Sequence, residues 1–384
     1  MVDEEDLASE AESEANALEV ALLTIIGAKL LATRLLTPKA MNAMAVEVQR
    51  EAVKEGAKRN ERLAEAAKRD VLGLAALSAL DDASAAYDVA VTRELSVLEE
   101  ATDKINLCRV ANDVLWLADG AVDSARREYM KAARWAARNV NRNAEAAVAQ
   151  AIMRLAQKGI TAYTVKRKDG TSYDVAVDVG IRRAVQSSDN KRDRMANTLD
   201  VAGDTSGLVE VSTTSGARKS HADWQGKVYQ LEGDSPYPNF YKACHWGDPV
   251  KGIGGYNCRH QVRVYRESRG RQFADPLEGT GYAQEEARDL RSRQRALENG
   301  IRKDKREAEV LRRLGLDRSD VNRRIKAKRA ALAKLVSEYP RVLEREPHRE
   351  FAYDLARKRA GIQGAAHLDK AARARVDAKV SAAG

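Results

Sequence analysis

Only three cysteines, Cys108, Cys244 and Cys258, occur in 384 residues, an odd and sparse set that excludes the disulfide framework of a small secreted domain. Synthesis in a reducing compartment is the simpler reading. Aromatic residues make up 5% of the chain although 44% is apolar, so the core has to come largely from alanine and other small side chains in close-packed helices. No apolar run approaches the roughly 20 residues that span a bilayer. The longest candidate, Val20 to Ala28, is bracketed by Glu19 and Lys29, and the acidic start MVDEEDLASE lacks the basic segment of a secretory leader. Neither a membrane span nor a leader is expected. Also missing are a P-loop, a dinucleotide fingerprint and a paired CxxC knuckle. The GIGG run at Gly252 to Gly255 has too few of the positions needed to cradle phosphate and reads as a flexible turn.

What is present predicts an α+β fold in several parts. Residues 1–16 read as an acidic flexible N-terminus, 17–158 as a helical docking region, 159–280 as a central α/β domain, and 281–384 as a basic helical arm with a flexible tail. In the helical region apolar residues return at spacings of three and four. Thr37-Pro38 suits an N-cap and first turn, and Gly159 suits a C-cap. Trp116 and Trp135 are expected as core or helix-contact residues and Cys108 as a small buried hydrophobe. Periodicity changes at ITAYTVKRKDGTSYDVAVDV, where two Val/Thr/Tyr runs flank Asp169-Gly170 and predict a β-hairpin. A helix from about Gly180 to Leu199 follows, with Arg182, Arg183, Lys191, Arg192 and Arg194 on a cationic face. LVEVSTT, GKVYQL and QVRVY supply further short strands.

The net charge of +9 is localised: between Arg291 and Pro340 there are 16 Lys or Arg and 7 Asp or Glu, and 16 − 7 = +9. A stripe from Leu290 through Leu297, Val310, Leu311, Leu314, Val321, Ile325, Leu332 and Leu335, broken near Gly315 to Ser319, predicts an antiparallel helical pair with its cations outside. Arg302, Lys303, Lys305, Arg306, Arg312, Arg313, Arg323, Arg324, Lys326, Lys328 and Arg329 are the candidate contacts to DNA or a protein partner. A nucleic-acid-binding protein is one function class that this charge supports.

The residues richest in chemistry lie in SHADWQGKVYQL and YKACHWGDPVKGIGGYNCRH, which gather His221, Asp223, Cys244, His245, Cys258 and His260 in 40 residues. Three readings stay open. Structural zinc draws four ligands from His221, Cys244, Cys258 and His260, although Cys258 and His260 are only one residue apart. A Cys/His hydrolase takes Cys258 as nucleophile, His221 as base and Asp223 or Asn257 as orienter. Metal-free packing has His221 crosslinking a turn, Trp224 under the following strand, and Asn257 and Arg259 hydrogen-bonding across the glycine-rich loop. That last reading needs no cofactor and no reaction, and makes the cluster a folding staple.

The same residues carry a resemblance. Ser220, His221, Ala222, Trp224, Gln225, Gly226, Lys227 and Val228, followed by Gly255, Asn257, Cys258, Arg259 and His260, are similar to the signature of the phage minor capsid protein 2 family, related in role to Mu F-type and SPP1-type head morphogenesis proteins. Upstream, Gly159, Thr161, Tyr163, Gly170, Tyr173, Val177, Asp178 and Arg182 also resemble it, and the likeness weakens after Phe273. The resemblance implies a low-copy virion protein, inside the head or near the portal, assembled in the bacterial cytoplasm. It implies portal, major capsid or scaffold proteins as partners, with packaged double-stranded DNA as a further contact. It supplies no enzymatic activity. A capsid-carried Cys/His hydrolase or metal-dependent effector delivered with DNA is the competing function.

Overall fold

A computed structural model describes residues 9–33, 37–86, 106–139, 143–167, 169–188, 191–233, 236–248, 251–255, 258, 260–345 and 347–350. The first helix, α1 (Ser9–Ala32), has no single polar face and contributes most of its length to the largest core. Leu18, Leu22, Leu23, Ile26 and Leu30 are all fully buried, as expected for a helix without a solvent stripe. Ser9 to Asn16, read from the sequence as flexible, is thus helical, and Ala11 and Ala15 are fully buried. The stretch from Glu10 to Ala32 is long and apolar enough by composition to cross a membrane, and here most of it is buried inside the protein.

Around α1 pack α2 (Pro38–Ala86), α3 (Leu107–Arg138) and α4 (Ala144–Lys158). Their ends follow the local chemistry. The Thr37 hydroxyl accepts from the Ala40 N–H, and Asn106 and Asn143 cap α3 and α4 through the N–H groups of Arg109 and Ala146. The α1 N-terminus is capped from a distance, with Asp70 of α2 accepting from the Ala11 N–H at 2.7 Å. Gly159 closes α4 at φ +84°, where a Cβ would lie 2.3 Å from a Glu19 carboxylate oxygen. On α3 the buried stripe is Val110, Val114, Leu117, Ala118, Ala121, Ala125 and Tyr129. Trp116 and Cys108 fall off that stripe: Cys108 is exposed, correcting the expectation that it is buried, and Trp116 is 63% exposed, so it is not a core residue. Trp135 is half-buried under the Arg154 guanidinium.

The predicted hairpin exists as β1 (Thr161–Lys166) and β2 (Ser172–Ala176), antiparallel, with Gly170 at positive φ in the turn. It packs on α3 within the helical body, where Ile160, Ala162 and Val177 join the largest core. The single helix expected next is two: α5 (Val177–Ser188), held in that core by Ile181, and α6 (Lys191–Gly203), which belongs to the next one.

The second core is small. Three antiparallel strands in the order β4 (Val228–Gln230), β3 (Leu208–Val211), β5 (Val262–Val264) are backed by Met195 and Leu199 of α6, and short helices α7 (Lys219–Ala222) and α8 (Phe240–Ala243) fill the connections. The chain then turns back. Helices α9 (Gln284–Arg313) and α10 (Ser319–Glu338) pair antiparallel, and Ala308, Val310, Leu311 and Val321 complete the first core. Lys328 and Arg324 fix the register, through the Gly300 carbonyl and Asp304, and Gln294 donates to the Glu344 carbonyl beyond α10. The last expected feature, a frayed C-terminus, lies outside the described residues.

The polar side of this pair is not the free cationic surface that the sequence suggested. Arg306 is buried, with its Nη1 2.5 Å from Glu19 and its Nε donating to the Ala156 carbonyl. Arg302 pairs with Glu12, Arg324 with Asp304 and Glu307, Lys328 with Asp304, Arg312 and Arg313 with Glu309, Arg323 with Asp320, and Arg329 with Glu350. Lys303 and Lys326 face solvent, and Lys305 is half-buried.

Candidate functional site

His221, Cys258 and His260 converge in the second core, one donor atom from each lying within 4.8 Å of the others, and all three are buried. Their convergence is a product of sheet topology. His221 lies in the short α7, which the chain enters after β3, while Cys258 and His260 lead into β5, which pairs with β3. The side chains therefore meet although 39 residues separate the two histidines.

The polar contacts fix His260 in particular. Its Nε2 lies 2.9 Å from the Gln225 Oε1, and that same oxygen accepts from the Thr214 N–H at 3.1 Å. A backbone N–H can only donate, so the Gln225 group facing it is the carbonyl oxygen, and His260 Nε2 must be the protonated nitrogen. In the neutral ring His260 Nδ1 then carries the lone pair. It points at His221 Nδ1, 3.3 Å away, and at the Cys258 sulfur, 3.6 Å away. Thr214 Oγ1 adds a longer contact to Nε2 at 3.3 Å.

Trp224 seals the site, with its ring 4.5 Å from the His221 ring and 4.7 Å from the His260 ring. It is held by the Tyr229 hydroxyl, which donates to the Trp224 carbonyl. Next in sequence, Gly226 turns the chain into β4 at φ +65°, where a Cβ would come 2.2 Å from Thr213 Oγ1. Burial, helped by the Arg218 guanidinium, pushes the His221 imidazole down to about 4, so it is neutral at neutral pH with a lone pair to offer.

Other sequence candidates fall elsewhere. Cys244 is fully buried in the same apolar core but does not join the converging set. Burial pushes its thiol up to about 12, beside Tyr229. Asp223, the proposed orienter of a hydrolytic His221, is exposed and meets Lys227 through its own carbonyl. Asn257 and Arg259 lie outside the described residues. The GIGG run is not loose: a Cβ on Gly252 would sit 2.1 Å from the His245 carbonyl oxygen, and Ile253 is buried with its N–H on the Cys244 carbonyl.

The sequence reading misses one residue outright and the role of a second. Glu210, in the middle of β3, is wholly buried and accepts from Arg271 and from the Gln272 N–H, both at 2.7 Å, tying the segment after β5 back across the sheet. An acid among valines was the available cue. Gln225 was recognised only as a motif residue, and its role in fixing the His260 tautomer became legible once Thr214 was beside it.

The sequence pattern of the family described as phage minor capsid protein 2 matches residues 39–337, most of the chain and the whole of this site. No curated protein and no solved structure matches it.

Proposed function

The chain belongs to the phage minor capsid protein 2 family and is thus a component of a bacteriophage virion, and we propose that there it acts in head morphogenesis by docking to the portal. The family match across residues 39–337 is the observation that carries this reading. The helical body is the docking unit: α1 is buried on all sides, and the hairpin and the returning α9 and α10 brace it. On its outside Trp116 stands 63% exposed with its ring 5.9 Å from that of Tyr163, and Tyr173 on β2 is also exposed. Exposed tryptophan and tyrosine on a rigid support are the residue types that anchor protein interfaces.

Protein docking is favoured over DNA as the main contact because the cations of α9 and α10 are largely committed to carboxylates of the same chain. Packaged double-stranded DNA is a secondary contact in this reading, through the solvent-facing Lys303 and Lys326. The protein sits inside the head near the portal vertex and is assembled in the host cytoplasm.

Co-expression with the portal protein of the same phage tests this. The chain should co-purify with portal rings, and Trp116→Asp should weaken capture at least about tenfold, a typical loss for an interface anchor, with an unchanged thermal midpoint. Capture unaffected by Trp116→Asp would remove this face from the proposal. No association with the rings would remove the portal.

A further inference from the structure

We propose that His221, Cys258 and His260 bind a zinc-class divalent cation, through the Nδ1 atoms of the two imidazoles and the Cys258 thiolate. The proposal concerns the fold of the small sheet and does not depend on where the protein sits in the particle.

The distances carry it. Zinc holds imidazole nitrogen at about 2.0–2.1 Å and thiolate sulfur at about 2.3 Å, so the edges of a tetrahedron around it are roughly 3.3–3.4 Å between nitrogens and roughly 3.5–3.6 Å from nitrogen to sulfur. His221 Nδ1 and His260 Nδ1 are 3.3 Å apart, and His260 Nδ1 and the Cys258 sulfur are 3.6 Å apart. These two edges fit a shared ion, and for the third, between His221 and Cys258, the donor atoms lie within 4.8 Å.

The surroundings agree at His260, whereas the His221 Nε2 is buried without a hydrogen-bond partner. Gln225 holds the far nitrogen of His260 as a donor, the outer-shell arrangement that aims a ligand lone pair at a metal. One thiolate with two neutral imidazoles suits zinc and disfavours magnesium or calcium, which take oxygen. Among the described residues no fourth His, Cys, Asp or Glu joins the set, which leaves one tetrahedral position for another ligand. The need is physical as well. The second core rests on three short strands, the helix α6 and two one-turn helices, and a bound ion would crosslink α7 to the approach of β5.

Elemental analysis of the full-length chain, purified from zinc-replete cells without chelator, should give about one zinc per chain. After zinc is stripped, titration with cobalt(II) chloride should produce the near-ultraviolet thiolate-to-cobalt band together with tetrahedral visible bands. Cys258→Ser should abolish the near-ultraviolet band, while Cys108→Ser and Cys244→Ser keep it. Zinc below about a tenth of an equivalent in folded wild-type protein, with no cobalt band, would overturn the site, and that reading stands even if Cys258→Ser does not fold. Loss of the band in Cys244→Ser with retention in Cys258→Ser would overturn the assignment of ligands.

Discussion

Asp70 does two opposing things. It caps α1 through the Ala11 N–H, and its own burial raises its carboxyl well above the ordinary value, against the pull of that N–H. A carboxyl that binds its proton more tightly folded than unfolded favours the native state at low pH. Stability is then lost as pH rises from about 4, the unfolded value, through the higher folded value. Asp70→Asn keeps an acceptor for Ala11 and cannot ionise. Urea midpoints measured against pH should therefore show the variant gaining on wild type as pH rises through that window, and parallel curves would contradict this. Single side chains were the least legible part of the sequence. Trp116 and Cys108 were read as buried because of their type, whereas α3 builds its inner face mainly from alanine, valine and leucine and leaves both off the stripe. His221, Cys258 and His260 were recognised as a group, but which of four candidates converge depends on strand pairing, and Cys244 is excluded only by its place in the apolar core.

Helices and strands were more legible, because their cues are local: the Thr37-Pro38 start, the Gly159 stop, the Asp169-Gly170 turn and the three valine-rich runs all stand where expected. The orientation of α9 was not. Its inner face includes Glu298, Asp304, Arg306, Glu307 and Glu309 besides its aliphatic residues, and apolar periodicity cannot reveal charges whose partners lie far away in sequence. Arg306 pairs with Glu19 across 287 residues. Burial raises the Glu19 carboxyl despite that guanidinium, while Asp178, which burial also pushes upward, is held below its usual range by Arg302, Arg306 and Arg182. Removing the cation strands buried charge, so Arg306→Ala should cost about 3–5 kcal/mol in denaturant unfolding. The double variant Glu19→Gln/Arg306→Met should recover part of that loss. A cost near zero for Arg306→Ala would mean that α9 is not docked on α1 and α4 as described.

At the scale of the whole molecule, residues of α1 to α5 build the first core and those of α9 and α10 return to complete it, with the small sheet placed between them in sequence. Division into consecutive segments hides this return, since the sequence alone does not say that Leu311 meets a core begun at Ala11. The arrangement gives a braced helical body on which Trp116 and Tyr173 are exposed, and a separate sheet beside which the buried His221, Cys258 and His260 converge. Reconstruction of the intact particle by electron cryomicroscopy without imposed symmetry at the portal vertex tests the account most directly. It should show this body inside the head, with Trp116 against a portal subunit. Density for the chain away from the portal vertex, or a particle that lacks the chain, would contradict it.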